Sequence, residues 1–349
     1  MPPRPKQHHY VTKAYLDGFL ESGCTQLICY GRHRQAPFCR TSQDLAIQRN
    51  YHSFKRPDGT WDDSLELKLQ KDVEDPGLEI LRLLVNGKTR LNWQQRDRLS
   101  LLIAVQRFRV PHMRDLMDSG TKEEICAWLS EYERMEQELG GDPGEMIVGV
   151  ANGLNPNEKH EMAFTKNDLE YLLKKYEEDP QRLSREHFMN LASKVAQIFR
   201  VMKWTVYYTT GPSRFITSDC PVAMAFTRTD IDTVAIVRPD CRILFPLSRA
   251  SLLFMEHDIA LITRLNKVGP TSTSRKLLNR LPEIRIASAS PEDVTAFNAI
   301  QVEQASRWVF AGQRKDWMIP KLQQASKNVR QVVKTISRNL SLVSAVEGK

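Results

Sequence analysis

The sequence changes its periodicity near Trp204, and this change constrains the fold more than any other feature. Between residues 65 and 203, apolar side chains recur at helical spacing, as in Phe188, Leu191 and Val195. From 204 to 287 they form short β-branched or aromatic runs separated by Gly, Pro, Asp and Ser. The sequence therefore predicts an α+β fold, in which a helical middle packs on a mainly antiparallel β-rich part.

Two further patterns predict how the chain is organised around these parts. The runs QLICY (26–30) and PFCRT (37–41), separated by GRHRQA, predict a β-hairpin with a basic tip. Ser290 followed by Pro291 predicts the start of a helix that runs to about residue 308. We expect one domain over 1–311 and a basic helical extension over 312–349. Within the domain we expect the N-terminal motif and hairpin (1–60), the helical part (61–203), the β-rich part (204–290) and a closing helix (291–308).

Capping and breaking residues predict the limits of individual helices in the middle part. Asn92 is a good N-cap, and Pro111 should end or kink the helix that follows it. Thr121 and Glu124 have the spacing of a capping box, which predicts that an acidic helix begins there.

The charge distribution is compatible with a polyanionic partner. The net charge is +8, and residues 1–56 and 312–349 each carry +6, which leaves −4 on the remainder. Basic ends around a mildly acidic body fit nucleic acid as a partner, bound through the N- and C-terminal segments. Basic ends that are merely solvated would give the same distribution.

The cysteine pattern and the hydropathy predict a cytoplasmic protein with reduced thiols. The sequence has no run of eighteen apolar residues and no apolar signal segment in its first thirty residues. Its six cysteines contain no CxxC pair. Cys24, Cys29, His33 and Cys39 could supply three sulfurs and an imidazole to zinc, but two cysteines facing each other across a hairpin would explain the spacing equally well.

Familiar catalytic motifs are absent from the sequence. It contains no P-loop, no GxGxxG after a strand, no HExxH and no GxSxG. Nucleotide-binding enzymes of the usual folds, standard zinc hydrolases and α/β-hydrolases are therefore disfavoured.

Three separate stretches carry the candidate site residues. The first holds His8 and His9, whose imidazoles suit a general base or a metal ligand near neutral pH. The second places Gln106 and Arg109 at a helix end broken by proline. The third, FITSDCPV (215–222), places Ser218 and Asp219 at a strand end. Each has an ordinary alternative: surface histidines, an arginine in a salt bridge, and an aspartate that caps its own turn.

These stretches also resemble a known family. HHYVTKAYLDGF resembles the HHYVPxFYLxxF opening of a large family of microbial domains of unknown function, found also in some fungi. The resemblance continues in order over most of residues 7–311, through IAVQRFRVPHMRD, RFITSDCPV and ILFPLS. It implies candidate residues but no roles for them: His8, His9, Tyr10, Tyr15, Phe19, Gln106, Arg109, Ser218, Asp219 and Pro246.

Two positions depart from the pattern that this resemblance implies. Thr12 stands where proline follows HHYV, and Cys220 stands where asparagine follows TSD. If the asparagine contributes its amide to a site, this chain has an altered site. If the asparagine only shapes a turn, cysteine can replace it.

Two hypotheses about function follow. In the first, His8 or His9 meets Asp219 in a shared pocket, with Arg109 as the anion-binding group and Gln106 and Ser218 beside them. Such a pocket suits hydrolysis of a phosphodiester or another anionic substrate, preferably nucleic acid, with a divalent metal on His8, His9 and Asp219 if one is needed. In the second, the HHYV segment is a structural clasp, and the protein binds nucleic acid or a protein without chemistry.

Overall fold

The computed structural model describes residues 7–55, 58–152, 159–178, 180–226, 236, 240–258, 260 and 283–324. Within them the chain has an α+β fold, as the sequence predicted. The helices are α1 (Lys13–Leu16), α2 (Ser64–Lys68), α3 (Asp75–Val85), α4 (Trp93–Phe108), α5 (Pro111–Leu139), α6 (Lys166–Glu178), α7 (Pro180–Val201), α8 (Pro291–Gln304) and α9 (Met318–Gln324). The strands are β1 (Gln7–His9), β2 (Gln26–Gly31), β3 (Phe38–Thr41), β4 (Ile47–Arg49), β5 (Phe54–Lys55), β6 (Trp61–Asp62), β7 (Met146–Asn152), β8 (Lys159–Phe164), β9 (Lys203–Thr209), β10 (Thr217–Ser218), β11 (Ala223–Phe226), β12 (Cys241–Ser248), β13 (Ser251–Glu256), β14 (Arg285–Ala289) and β15 (Trp308–Ala311).

Helix α4 is the centre of the helical part and packs on α7 and α3. Its N-cap is Asn92, as expected, and the Asn92 side chain accepts from the backbone N–H of Gln95 in a complete capping box. Leu99 and Ile103 are fully buried on it. Gly77 lets α3 approach closely, because a Cβ at this position would lie 2.5 Å from the Cβ of Leu102.

Helix α5 differs from the expectation in the helical part. Pro111 does separate α4 from α5, but α5 runs without interruption through Thr121, so the predicted helix start there is wrong. Ile125 and Tyr132 are buried and continue the apolar pattern past Thr121, so tertiary packing outweighs the local capping signal. The helix ends at Gly140, which adopts the left-handed conformation (φ 68°). The hairpin β7–β8, which the sequence did not predict, follows it.

The β-rich part forms a five-stranded sheet in the order β11-β12-β13-β9-β14. Its neighbouring strands are antiparallel except β14, which runs parallel to β9. Trp204, where the sequence changes period, is buried on β9. The predicted switch from helix to sheet at this residue is therefore confirmed.

The predicted N-terminal hairpin is confirmed and belongs to a second sheet, of order β10-β15-β2-β3. Strand β15 corrects the expectation for the closing helix, because α8 begins at Pro291 as expected but ends at Gln304 rather than near 308. The backbone beyond Gln304 has other partners: Arg32 binds the carbonyl of Ala305, and Asp219 binds the N–H groups of Ser306 and Arg307. These bonds divert the chain into a strand.

The first described residues are tied to the body of the protein. Strand β1 pairs with β4, and the N–H of Tyr10 donates to the carbonyl of Ala46 at 2.8 Å. Val11, Leu16 and Phe19 are fully buried, and burial of each such side chain stabilises the fold by ~1.5–3 kcal/mol. This anchor holds the two histidines of the first motif in place.

In the described residues, no helix combines the length and the apolar composition that crossing a lipid bilayer requires. Of the expected basic extension, α9 is described, with Met318 and Leu322 buried. The remainder of the extension, residues 325–349, lies outside the described residues.

Candidate functional site

Gln106 and Arg109, in the last turn of α4 and at its C-cap, hold the backbone of Tyr10. Nε2 of Gln106 and Nε of Arg109 each donate to the Tyr10 carbonyl at 2.8 Å. Nη2 of Arg109 donates to Oε1 of Gln106 at 2.9 Å, and Nη1 forms an ion pair with Glu74. The second polar stretch of the sequence therefore fixes the first one in place.

Arg109 is fully buried, and all three nitrogens of its guanidinium have partners. Its carbonyl also accepts from the Tyr51 hydroxyl at 2.5 Å. The arginine expected to bind an anionic substrate is thus occupied by a carboxylate, an amide and a carbonyl of the protein itself.

His8 and His52 form a buried, stacked pair of imidazoles. Their ring centroids are 5.9 Å apart with an interplanar angle of 4°, and Nδ1 of His8 accepts from the N–H of His52 at 3.0 Å. Nδ1 of His52 lies 2.8 Å from Nη2 of Arg114, and since arginine can only donate, the neutral His52 ring carries its proton on Nε2. Burial, followed by the Arg114 and Arg109 charges, lowers the pKa of His52 well below its ordinary value.

Glu66 lies beside both rings. Its Oε2 is 3.9 Å from Nδ1 of His8 and 3.8 Å from Nε2 of His52, and its side chain is 27% exposed. Burial, with a contribution from the Glu74 charge, raises the pKa of Glu66 to about 7. We call His8, His52 and Glu66 the histidine–glutamate cluster. At neutral pH it holds a carboxyl group poised between its two protonation states, next to two buried imidazoles.

His9 follows His8 in the sequence and is half-buried, but its side chain has different neighbours. Burial lowers its pKa, which hydrogen bonding with the backbone of Ser42 and Gln43 opposes. Within the described residues its buried Nε2 has no hydrogen-bond partner.

The third polar stretch forms a turn around Asp219. Its two carboxylate oxygens accept from the N–H groups of Ser306 (2.8 Å) and Arg307 (2.7 Å). Its own N–H donates to the carbonyl of Trp308. Oγ of Ser218 accepts from the N–H of Cys220 at 3.0 Å. We call Ser218, Asp219 and Cys220 the Asp219 turn. Burial raises the pKa of Asp219 to about 6, although the backbone donors favour the charged form.

Cys220, which replaces the expected asparagine, contacts His112. Its Sγ lies 3.1 Å from Nδ1 of His112. Burial, and then the Asp219 charge, raises the pKa of the thiol well above its ordinary value. Burial and the Arg107 and Arg32 charges lower the pKa of His112 to about 3. Both groups are therefore neutral at physiological pH, and the pair lacks the thiolate that a nucleophilic cysteine requires.

Tyr10 lies between the second polar stretch and the Asp219 turn. Its carbonyl binds Gln106 and Arg109, while the charges of Asp219 and Cys220 act with burial to raise the pKa of its hydroxyl. The structure thus brings the first and second stretches into direct contact. His8 has its partners at His52 and Glu66, and Asp219 has its partners in the segment after α8.

The other residues implied by the resemblance lie beneath the first motif. The hydroxyl of Tyr15 donates to the carbonyl of Pro246 at 2.8 Å and lies 2.9 Å from Oγ1 of Thr217. Its ring stacks on Phe245, and Phe19 packs beside it. These contacts attach α1 to strands of both sheets.

Within the described residues, no group of three His, Cys, Asp or Glu side chains is arranged to hold a metal ion. Neither His8, His9 and Asp219 nor Cys24, Cys29, His33 and Cys39 forms such a group. All six cysteines are free.

No sequence motif indicated a role for His52, Glu66, Glu74 or Arg114. The available signal for His52 was its place in Asn50-Tyr51-His52, which repeats the aromatic and polar character of HHY. Glu66 is one of five acidic residues between 62 and 74, and only the fold distinguishes it from the other four.

Comparisons with known proteins assign the chain to a family without assigning an activity. Neither the curated proteins nor the solved structures gave a match. Residues 7–315 match the family described as a protein of unknown function, DUF4238. This range includes the histidine–glutamate cluster and the Asp219 turn. Because the match covers most of the 349 residues, the chain belongs to the DUF4238 family.

Proposed function

We propose that the protein is a hydrolase that acts on a phosphodiester or another anionic substrate, with nucleic acid preferred. In this proposal proton transfer belongs to the histidine–glutamate cluster instead of a His–Asp219 pair. The observation that supports it is Glu66, a partly exposed carboxyl group with a pKa raised to about 7. A general base works best when its pKa lies near the operating pH.

The proposed chemistry uses Glu66 as the base for water. Its carboxylate takes one proton from water as the water oxygen bonds to phosphorus, the ester P–O bond breaks, and the departing oxygen takes a proton from solvent. The Arg114 and Arg109 charges, which act on Glu66 as well as on His52, favour negative charge near the cluster. His8 and His52 limit the positions that Glu66 can adopt.

The second candidate function is the non-catalytic one, and a different observation favours it. Gln106, Arg109 and Asp219 are buried and hydrogen-bonded, as a structural clasp requires. In this case the motif residues hold the N-terminal segment, and the protein binds nucleic acid or a protein without cleaving it.

Replacing Glu66 by Gln distinguishes the two functions. We expect Glu66→Gln to reduce hydrolysis of bis(p-nitrophenyl) phosphate and of a labelled single-stranded oligonucleotide by ~10²–10⁴-fold, as loss of a general base does. Rates are measured with and without added divalent cations, and thermal unfolding is followed in parallel. Glu79→Gln is the matched control, because Glu79 is exposed on α3 and its loss removes the same charge.

A wild-type protein that hydrolyses neither substrate would contradict the hydrolase proposal and leave the binding function. The same conclusion would follow if Glu66→Gln kept the wild-type rate per folded molecule.

A further inference from the structure

The β2–β3 hairpin exposes a basic surface beside two aromatic rings. His33 and Arg34 in the connecting loop and Arg40 on β3 are exposed, and Arg307 is exposed just before β15. Strand β3 is the edge of the four-stranded sheet. The predicted basic tip of the hairpin is therefore part of a larger surface.

The two rings are Phe38 and Trp308, both half-buried. Their centroids are 5.5 Å apart with an interplanar angle of 82°. Trp308 lies directly over Gly31, where a Cβ would be 2.5 Å from the indole. Gly31 on β2 thus makes room for the indole of Trp308 on the neighbouring strand β15.

Arginine side chains lie against Phe38. Cζ of Arg34 is 4.5 Å and Cζ of Arg40 is 5.5 Å from the centroid of its ring. Among the described residues, neither guanidinium forms an ion pair with a carboxylate. Arg307 has an acidic neighbour in Asp115, whose carboxylate its charge favours. The surface keeps a net positive charge next to two half-buried aromatic rings.

We infer that this surface, defined by Arg34, Phe38, Arg40 and Trp308, binds single-stranded nucleic acid. Guanidinium groups neutralise phosphates, while aromatic rings and guanidinium planes stack on unpaired bases. A duplex offers the phosphates but keeps its bases stacked within the helix, so the rings favour the single strand. The inference shares its ligand with the proposed function, but it concerns binding at a surface distinct from the histidine–glutamate cluster.

Fluorescence anisotropy with a labelled twelve-residue oligothymidylate tests this assignment on the full chain. We expect Arg34→Gln with Arg40→Gln to weaken binding and to reduce the salt slope by about 1.4, since each phosphate contact on a single strand contributes about 0.7. Phe38→Ala should weaken binding roughly ten-fold through lost stacking. Phe38→Tyr keeps the ring and should restore the affinity, which separates stacking from a general loss of structure.

Arg242→Gln with Arg285→Gln is the matched control. It removes the same charge from exposed positions of the five-stranded sheet and should leave the salt slope unchanged. Equal losses in the hairpin pair and the control pair would overturn the assignment. Equal affinity for a duplex of the same length, or for polyphosphate, would overturn the single-strand preference.

Binding and hydrolysis can fail separately. The hairpin variants should leave the hydrolysis of bis(p-nitrophenyl) phosphate unchanged while raising KM for the oligonucleotide. Hairpin-dependent binding by a protein that hydrolyses nothing would support this surface and contradict the proposed hydrolase. Absence of oligothymidylate binding by the wild-type chain would overturn the surface alone.

Discussion

The Asp219 turn and the histidine–glutamate cluster each hold a carboxyl group with a raised pKa, but they differ in how that group is bound. Each oxygen of Asp219 accepts from a backbone N–H at 2.7–2.8 Å. Oε2 of Glu66 instead lies 3.8–3.9 Å from two imidazole nitrogens. A buried carboxylate whose oxygens are both satisfied by the backbone stabilises a turn, whereas a partly exposed one with loose contacts remains able to exchange protons with solvent.

The largest effect is expected at the Asp219 turn. Asp219→Ala removes the acceptor of the part-buried N–H groups of Ser306 and Arg307, and an N–H group that loses its acceptor costs ~1–3 kcal/mol when it is kept from water. We expect the free energy of unfolding to fall by about 3 kcal/mol, measured by urea denaturation. Activity per folded molecule should be unchanged.

Asp219→Asn is the control for this prediction. It keeps one side-chain oxygen as an acceptor and should lose less stability than Asp219→Ala. A variant that folds as stably as wild type but loses activity would reverse the comparison and assign the chemistry to Asp219.

The sequence was sufficient where local signals and burial agree. The helix starts at Asn92 and Ser290 follow from an N-cap asparagine and from a serine followed by proline, and the hairpin and the switch at Trp204 follow from residue patterns. The sequence was insufficient where contacts between residues distant in the chain determine the structure. The end of α8 depends on Arg32 and Asp219, which are distant in the sequence, and so it could not be located from the residues of the helix alone.

The candidate site shows the same limit. The sequence predicted that His8, Gln106 and Arg109 matter, and the structure brings Gln106 and Arg109 to the same carbonyl of Tyr10. It could not predict the partners of His8, because His52 and Glu66 reach it only through the fold. The roles of His8, His9, Gln106, Arg109, Ser218 and Asp219 in catalysis stay predictions.

A smaller effect is expected from the pH dependence of Glu66. Its pKa is raised from 4.5 in the unfolded chain to about 7, so its favourable contribution is present below pH 4.5 and is lost as the pH rises through 7. The unfolding free energy of Glu66→Gln minus that of wild type should be about 2 kcal/mol larger at pH 8 than at pH 5, after allowance for solvent screening. Urea denaturation at both pH values measures this difference.

Glu79→Gln controls for the loss of one negative charge on the surface. Its stability should follow the wild-type pH dependence, because Glu79 is exposed. If Glu66→Gln also followed the wild-type curve, Glu66 would have an ordinary pKa and the contrast with the Asp219 turn would disappear.

The smallest effect is expected from placing asparagine, the residue that the resemblance implies, at position 220. The hydrogen bond that shapes this turn comes from the N–H of residue 220 to Ser218, so it does not depend on the side chain. The side chain contacts Nδ1 of His112, and a carboxamide can donate to or accept from that nitrogen in either tautomer. We therefore expect Cys220→Asn to change the unfolding free energy by less than ~1 kcal/mol, whereas Cys220→Ala, which leaves Nδ1 without this partner, should lose about 1 kcal/mol. Both variants should keep the wild-type hydrolysis rate per folded molecule. A ten-fold or larger gain of activity in Cys220→Asn would show instead that cysteine has altered a catalytic position, and the Asp219 turn would then have to be counted as part of the site.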